Sequence, residues 1–312
     1  MPGHIYYRTG DYARSHDNFV RAFAVDSTYQ ADYDIPPHRN WNFIHNLNYL
    51  VANCGEDGRY TEGMRWARHL DQLPIDPERA LVFYQGRLAR ARLQLRYGMW
   101  ERAAASLQEF VDNDTLAATF GEDFVNGTLA YARGMVALDR SDRTAAIAQR
   151  KIIDGIEWLL MTGSVDTEDG FYSAKRRNTL RAFAHELRGM ILVQEGDLNK
   201  AMEALEKAVA IVGDMGYAEP PEFSGLPAER LGEAHLLSAN WEAAQTAFRL
   251  SLDARPDNGH GLFGLARALA GQGRIPEARQ TYTRFLETWR HADPELPQLL
   301  STRAWLQSVA GQ

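Results

Sequence analysis

The chain has 312 residues, 45% of them hydrophobic and 24% charged, which is ordinary for a globular protein, and its formal net charge of −7 argues against nucleic acid as a partner, since that usually needs a basic surface. A lone cysteine, Cys54, excludes an intrachain disulfide and a cysteine-rich zinc module. The opening MPGHIYYRTGDYARSH lacks the basic-then-apolar pattern of a secretory leader, and no apolar run is long enough to span a membrane, so a cytoplasmic protein with no membrane partner is expected.

In chain order, one pattern recurs: an amphipathic stretch, a short turn, then a second amphipathic stretch rich in alanine. Its cores are TGDYARSHDNF, DGRYTEGMRWA, YGMWERAAASL, the weaker RSDRTAAIAQR, EGDLNKAMEAL, SANWEAAQTAF and QGRIPEARQTY. The turn residue falls at Gly10, Gly58, Gly98, Ser141, Gly196, Ala239 and Gly273. Seven turns predict about seven helix pairs, and strand signals are weak throughout. Gly134, Gly189, Gly232 and Ala266 are small where two helices are expected to cross. Ala103, Ala201, Ala244 and Ala278 are small on the facing helix, and Leu205, Phe248 and Tyr282 are bulky between pairs. Trp66, Trp100, Trp158 and Trp241 read as core.

The spacing from Ala239 to Gly273 is the roughly 34-residue period of tetratricopeptide repeats, and the longer spacings read as that period plus an insertion. With Leu231-Gly232, Ala244, Phe248 and Pro256, the chain resembles the tetratricopeptide repeat family. The resemblance implies an all-α fold, a right-handed α-solenoid of stacked helix-turn-helix repeats over residues 1–312. Insertions are expected near 29–42, 161–178 and 213–227. Within the family, MPGHIYYRTGDYARS, IHNLNYL, the Tyr217-to-Phe223 segment YAEPPEF with Pro227, Arg230, Leu231 and Gly232, and DNGHGLFGLARALAGQGR are similar to a bacterial subgroup. Two departures stand out: Asn48 replaces a histidine of that subgroup's pattern, and Phe223 replaces a tryptophan. In the subgroup the Met-Pro-x-His segment lies mid-protein, and the repeat register places Met1 part-way along a first helix. The expectation is therefore a truncated first repeat, with upstream repeats in a longer relative, an N-terminal partner chain, or a homodimer covering that end.

The family's groove positions, carried onto this sequence, are His4, Tyr7 and Arg8; His45 and Asn48; Gln85, Arg92 and Arg96; Tyr131 and Met135; Glu186 and Met190; Glu229 and Glu233; and His260, Phe263 and Arg267. They run from histidine- and arginine-rich to acidic, a gradient suited to orienting a polar peptide. The lysine/asparagine clamp that some members use for C-terminal carboxylates is not reproduced. The resemblance thus implies a protein- or peptide-binding scaffold. The alternative is a metal-assisted or histidine-dependent enzyme, completed by a second subunit or a partner chain.

For that alternative the candidate catalytic residues are His4, His45, Glu219 and Glu222, and the candidate metal ligands are His4, His38 and His45. Imidazole nitrogens suit a divalent transition metal or a general base. A catalytic zinc usually takes three protein ligands, and neither HxxxH nor HExxH spacing is present, so packing and hydrogen bonding in a polar groove is the competing reading. No cofactor motif is evident: there is no phosphate-binding glycine loop and no GxSxG elbow. Pro220-Pro221 stiffens a loop that either presents Glu219 and Glu222 or simply struts two repeats apart.

Overall fold

The computed structural model describes residues 2–74, 86–113, 122–162, 170–216, 219 and 225–310. Among these, fifteen α-helices and no strands occur. Seven helix pairs follow the seven expected turns: α1 (Pro2–Thr9) and α2 (Tyr12–Asp32); α3 (Trp41–Glu56) and α4 (Tyr60–Asp71); α5 (Ala89–Arg96) and α6 (Trp100–Val111); α7 (Glu122–Asp139) and α8 (Arg143–Thr162); α9 (Gly170–Glu195) and α10 (Leu198–Asp214); α11 (Pro227–Leu237) and α12 (Trp241–Ala254); α13 (Gly259–Gly271) and α14 (Ile275–Thr288). A last helix, α15 (Pro297–Ser308), follows. The fold is all-α, with neighbouring helices packed in series as in a tetratricopeptide-like solenoid.

The turns explain the pairing. All seven turn residues adopt positive φ, from 54° at Ala239 to 86° at Gly58. Glycine reaches that region without cost, whereas Ser141 and Ala239 hold it against Cβ strain. At four turns the next residue caps the second helix: the side chains of Asp11, Asp142, Asp197 and Asn240 accept from the backbone N–H three residues on. The left-handed residue ends one helix and the cap starts the next.

The small residues do what the register requires. A Cβ on Gly232 would lie 2.7 Å from the Phe248 ring, and one on Gly189 would lie 2.5 Å from Leu205. Ala103, Ala201, Ala244, Ala266 and Ala278 are all fully buried. Trp158 departs from expectation. It is 60% exposed, whereas Ala146 and Ile153 on the same helix are fully buried. Five residues past Ile153, it points about 140° away from that buried stripe at 3.6 residues per turn. The insertions are partly helical: Tyr29–Asp32 extends α2, a 3₁₀ turn spans Pro37–Arg39, and residues 170–178 lie in α9.

Packing divides the chain into two compact units. One contains residues 1–89 and 231–312, and the other contains residues 90–230. In the first, the turns of the two N-terminal pairs meet the C-terminal repeats. Tyr12 donates its hydroxyl to Pro256 O at 2.9 Å, and the Asp293 amide donates to Gly58 O at 3.0 Å. Trp289, nearly fully buried, donates its indole N–H to Glu56 O at 2.8 Å. Gly259 makes room for it, since a Cβ there would lie 1.7 Å from that nitrogen. Within the second unit, α9 packs against α10, and α7 packs against α6, α8 and α9.

Candidate functional site

Three clusters bring chemistry-bearing side chains together. The first lies on first helices α11 and α13 of the first unit. Arg267 on α13 donates to both oxygens of Glu233 on α11, at 2.6 and 2.8 Å. Its guanidinium also lies 5.5 Å from the centre of the Phe263 ring, one turn earlier on the same helix. Both partners of the ion pair keep about a third of their side-chain surface exposed (36% and 33%). His260, one turn before Gly264, donates its Nε2–H to Gly55 O at 3.1 Å and is half-buried. Residues three and four apart on a helix share a face, so Phe263 and Arg267 present one polar and aromatic surface.

The second cluster is His4 on α1 and His45 on α3, also in the first unit. Their Nε2 atoms lie 3.1 Å apart. The ring planes are within 16° of parallel, with centroids 5.2 Å apart, so the rings meet nitrogen to nitrogen rather than face to face. Tyr49 meets His4 edge-on at 4.2 Å, Phe19 meets it at 5.1 Å, and Trp41 meets His45 at 5.2 Å. His4 is buried and His45 half-buried.

The third cluster belongs to the second unit. Arg96 is buried and donates to both oxygens of Glu229, the longer contact being 3.1 Å. Beside that pair in the sequence, Arg230 lies 3.8 Å from Glu186 and 4.8 Å from the centre of the Trp100 ring. Glu186 accepts from the Tyr131 hydroxyl at 3.2 Å, and Tyr131 stacks on Phe183. Burial pushes the Glu186 carboxyl up to about 7 against the pull of Arg230 and the Tyr131 hydrogen bond. Burial, with the Glu186 charge, pushes the Tyr131 phenol up as well.

Tyr7 is buried against Tyr12 and Tyr49, and Arg8 is exposed on α1. Asn48 is buried and donates to Ile44 O within its own helix. Arg92 is half-buried on α5, and Met135 is buried on α7. His38 sits in the 3₁₀ turn, and Glu219 is exposed and belongs to the second unit. Gln85 and Glu222 lie outside the described residues. The expected acidic end of the gradient is charge-compensated, because Glu229, Glu233 and Glu186 each have an arginine beside them.

Sequence reasoning missed a fourth cluster, at the α3–α4 turn. Asp57 is fully buried, 3.1 Å from Arg59 and within reach of Asn53. Burial pushes its carboxyl up to about 7, opposed by Arg59 and His16. Glu62 goes the other way, down to about 2, chiefly through its hydrogen bond to His16 at 3.0 Å. The sequence signal was the charged run Glu56-Asp57-Gly58-Arg59 with Glu62, which reads equally well as a solvated turn. Cys54 nearby is fully buried, and burial pushes its thiol pKa up, away from thiolate chemistry.

Family models described as tetratricopeptide repeat match residues 230–297 and residues 184–211. The first match takes in α12, α13 and α14 whole and thus the Glu233–Arg267–Phe263 surface. No match was found among curated proteins. No helix among the described residues is long and apolar enough to cross a membrane.

Proposed function

We propose that this chain, whose residues 184–211 and 230–297 match tetratricopeptide repeat models, is a protein-interaction scaffold that holds a peptide segment on the first-helix face carrying Glu233, Phe263 and Arg267. The observation that carries this reading is the Arg267–Glu233 pair, about a third exposed, beside an aromatic ring and inside the matched residues 230–297. An ion pair this exposed contributes little to stability, at most about 1 kcal/mol. Its two charges are therefore cheap to re-pair with charges of a bound peptide, while Phe263 supplies apolar contact. Arginine and aromatic residues are the usual anchors of such interfaces. The buried pair Arg96–Glu229 has a different role in this reading, since a guanidinium that is bidentate to its own chain orients α11 rather than greeting a ligand.

The test is selection of peptides from a random display library on the full chain, followed by anisotropy titration of the best synthetic peptide. Arg267→Ala and Glu233→Ala should each weaken binding by roughly tenfold with the unfolding midpoint unchanged. Peptides that bind equally well to both variants would sink this assignment of the surface.

A further inference from the structure

We propose that His4 and His45 together bind one divalent transition-metal ion of the zinc class. Zinc–imidazole bonds are about 2.0–2.1 Å long, so two ligating nitrogens 3.1 Å apart subtend roughly 100° at the ion, between the octahedral and tetrahedral angles. The near-parallel rings approach each other at those two nitrogens, so both Nε2 lone pairs border the same space. In the metal-free chain that space holds a shared proton, one imidazole donating and the other accepting. An ion replaces the proton, with the remaining coordination positions filled by groups outside this pair.

The two histidines come from different helix pairs, α1 and α3, and aromatic walls fix both rings. Tyr49 packs edge-on against each of them, at 4.2 Å from His4 and 5.3 Å from His45, Phe19 backs His4, and Trp41 backs His45. Rings held this way lose little freedom when an ion arrives, which favours binding by preorganisation. The pair supplies two neutral nitrogens, and the one cysteine, Cys54, is fully buried. Imidazole donors select zinc, copper, nickel or cobalt over magnesium or calcium.

The experiment uses the full chain stripped of metal by chelation and dialysis. Calorimetry with zinc chloride should give one ion per chain. Cu(II) as a paramagnetic substitute should show two coupled imidazole nitrogens in its electron spin-echo spectrum. His45→Ala, at the half-exposed position, should weaken zinc binding by at least about tenfold, and His38→Ala and His291→Ala should leave it unchanged. His4 is buried, so His4→Gln is read alongside circular dichroism; the copper spectrum of the unaltered chain needs no variant and stands by itself. Absence of zinc binding, a copper spectrum with fewer than two imidazoles, or binding indifferent to His45→Ala each overturns the proposal.

Discussion

In the unit built from both ends of the chain, Arg255 reaches Glu56 at 2.9 Å, and both side chains are almost completely buried (9% and 2% exposed). In the central unit, Arg96 reaches Glu229, whose side chain keeps 14% of its surface. Both are guanidinium–carboxylate pairs, yet they sit differently. The first joins the residue that ends α12 to the last residue of α3, about two hundred residues away in sequence, next to Trp289 and the Gly58 turn. The second links two first helices and leaves its carboxylate within reach of water. A buried charge pair is a weak source of net stability but a strong penalty when halved. The comparison teaches that the end-to-end contact is held by groups that tolerate no partial loss, whereas the central pair can relax into solvent.

The largest expected effect comes from breaking the end-to-end contact at its bulkiest point. Trp289→Ala should cost about 3–5 kcal/mol by chemical denaturation. It should also speed hydrogen exchange in α1–α4, far away in sequence; exchange unchanged there would show that the two ends do not support each other. Next, Arg255→Ala strands the Glu56 carboxylate and should cost about 3 kcal/mol or more, while Arg96→Ala should cost distinctly less because Glu229 can hydrate. Equal losses would erase the distinction between the units.

A smaller and pH-dependent contrast follows from three strongly shifted carboxyls. Asp57 in the first unit and Glu186 in the second are both pushed up to about 7, so the folded chain holds protons there that the unfolded chain releases near pH 4. Their stabilising contribution is complete below that range and is lost as pH rises towards 7. Glu62, held down to about 2, contributes above its ordinary range and loses that contribution as pH falls towards 2. In a series of unfolding midpoints, Glu186→Gln and Asp57→Asn should each flatten the decline between about pH 4 and 7, and Glu62→Gln should matter at pH 7 but not near pH 2. A decline unchanged by the first two variants would remove burial of those carboxyls as its cause. The smallest effect is local. Ser141→Gly in the central unit and Ala239→Gly in the other should each stabilise by up to about 1 kcal/mol, by releasing Cβ strain at positive φ. A destabilised variant at either turn would show that the side chain there has a packing role.

Much of this was legible from local chemistry. A turn needs only neighbours in sequence, so the seven turns were read directly, and the Asp or Asn that caps four of them obeys the same local rule. Close helix crossings at Gly189 and Gly232 were legible for the same reason, because small-to-large pairing obeys the repeat register. The His4–His45 approach was legible as a shared groove position, but not as two nitrogens 3.1 Å apart, which depends on how α1 and α3 cross. Trp158 was misread because hydrophobicity alone does not report which stripe of a helix is buried.

What the sequence by itself determined is the repeating helix pair: its turns, its caps and its small–large packing. Only the tertiary structure decided which charges face each other. Arg255 with Glu56, Arg230 with Glu186, and Trp289 with the Glu56 carbonyl are partners chosen by how distant repeats meet, and the sequence carries no local signal for a distance across folded space. Helix formation is fixed by nearest neighbours, whereas the environment of a buried charge is fixed by everything packed around it.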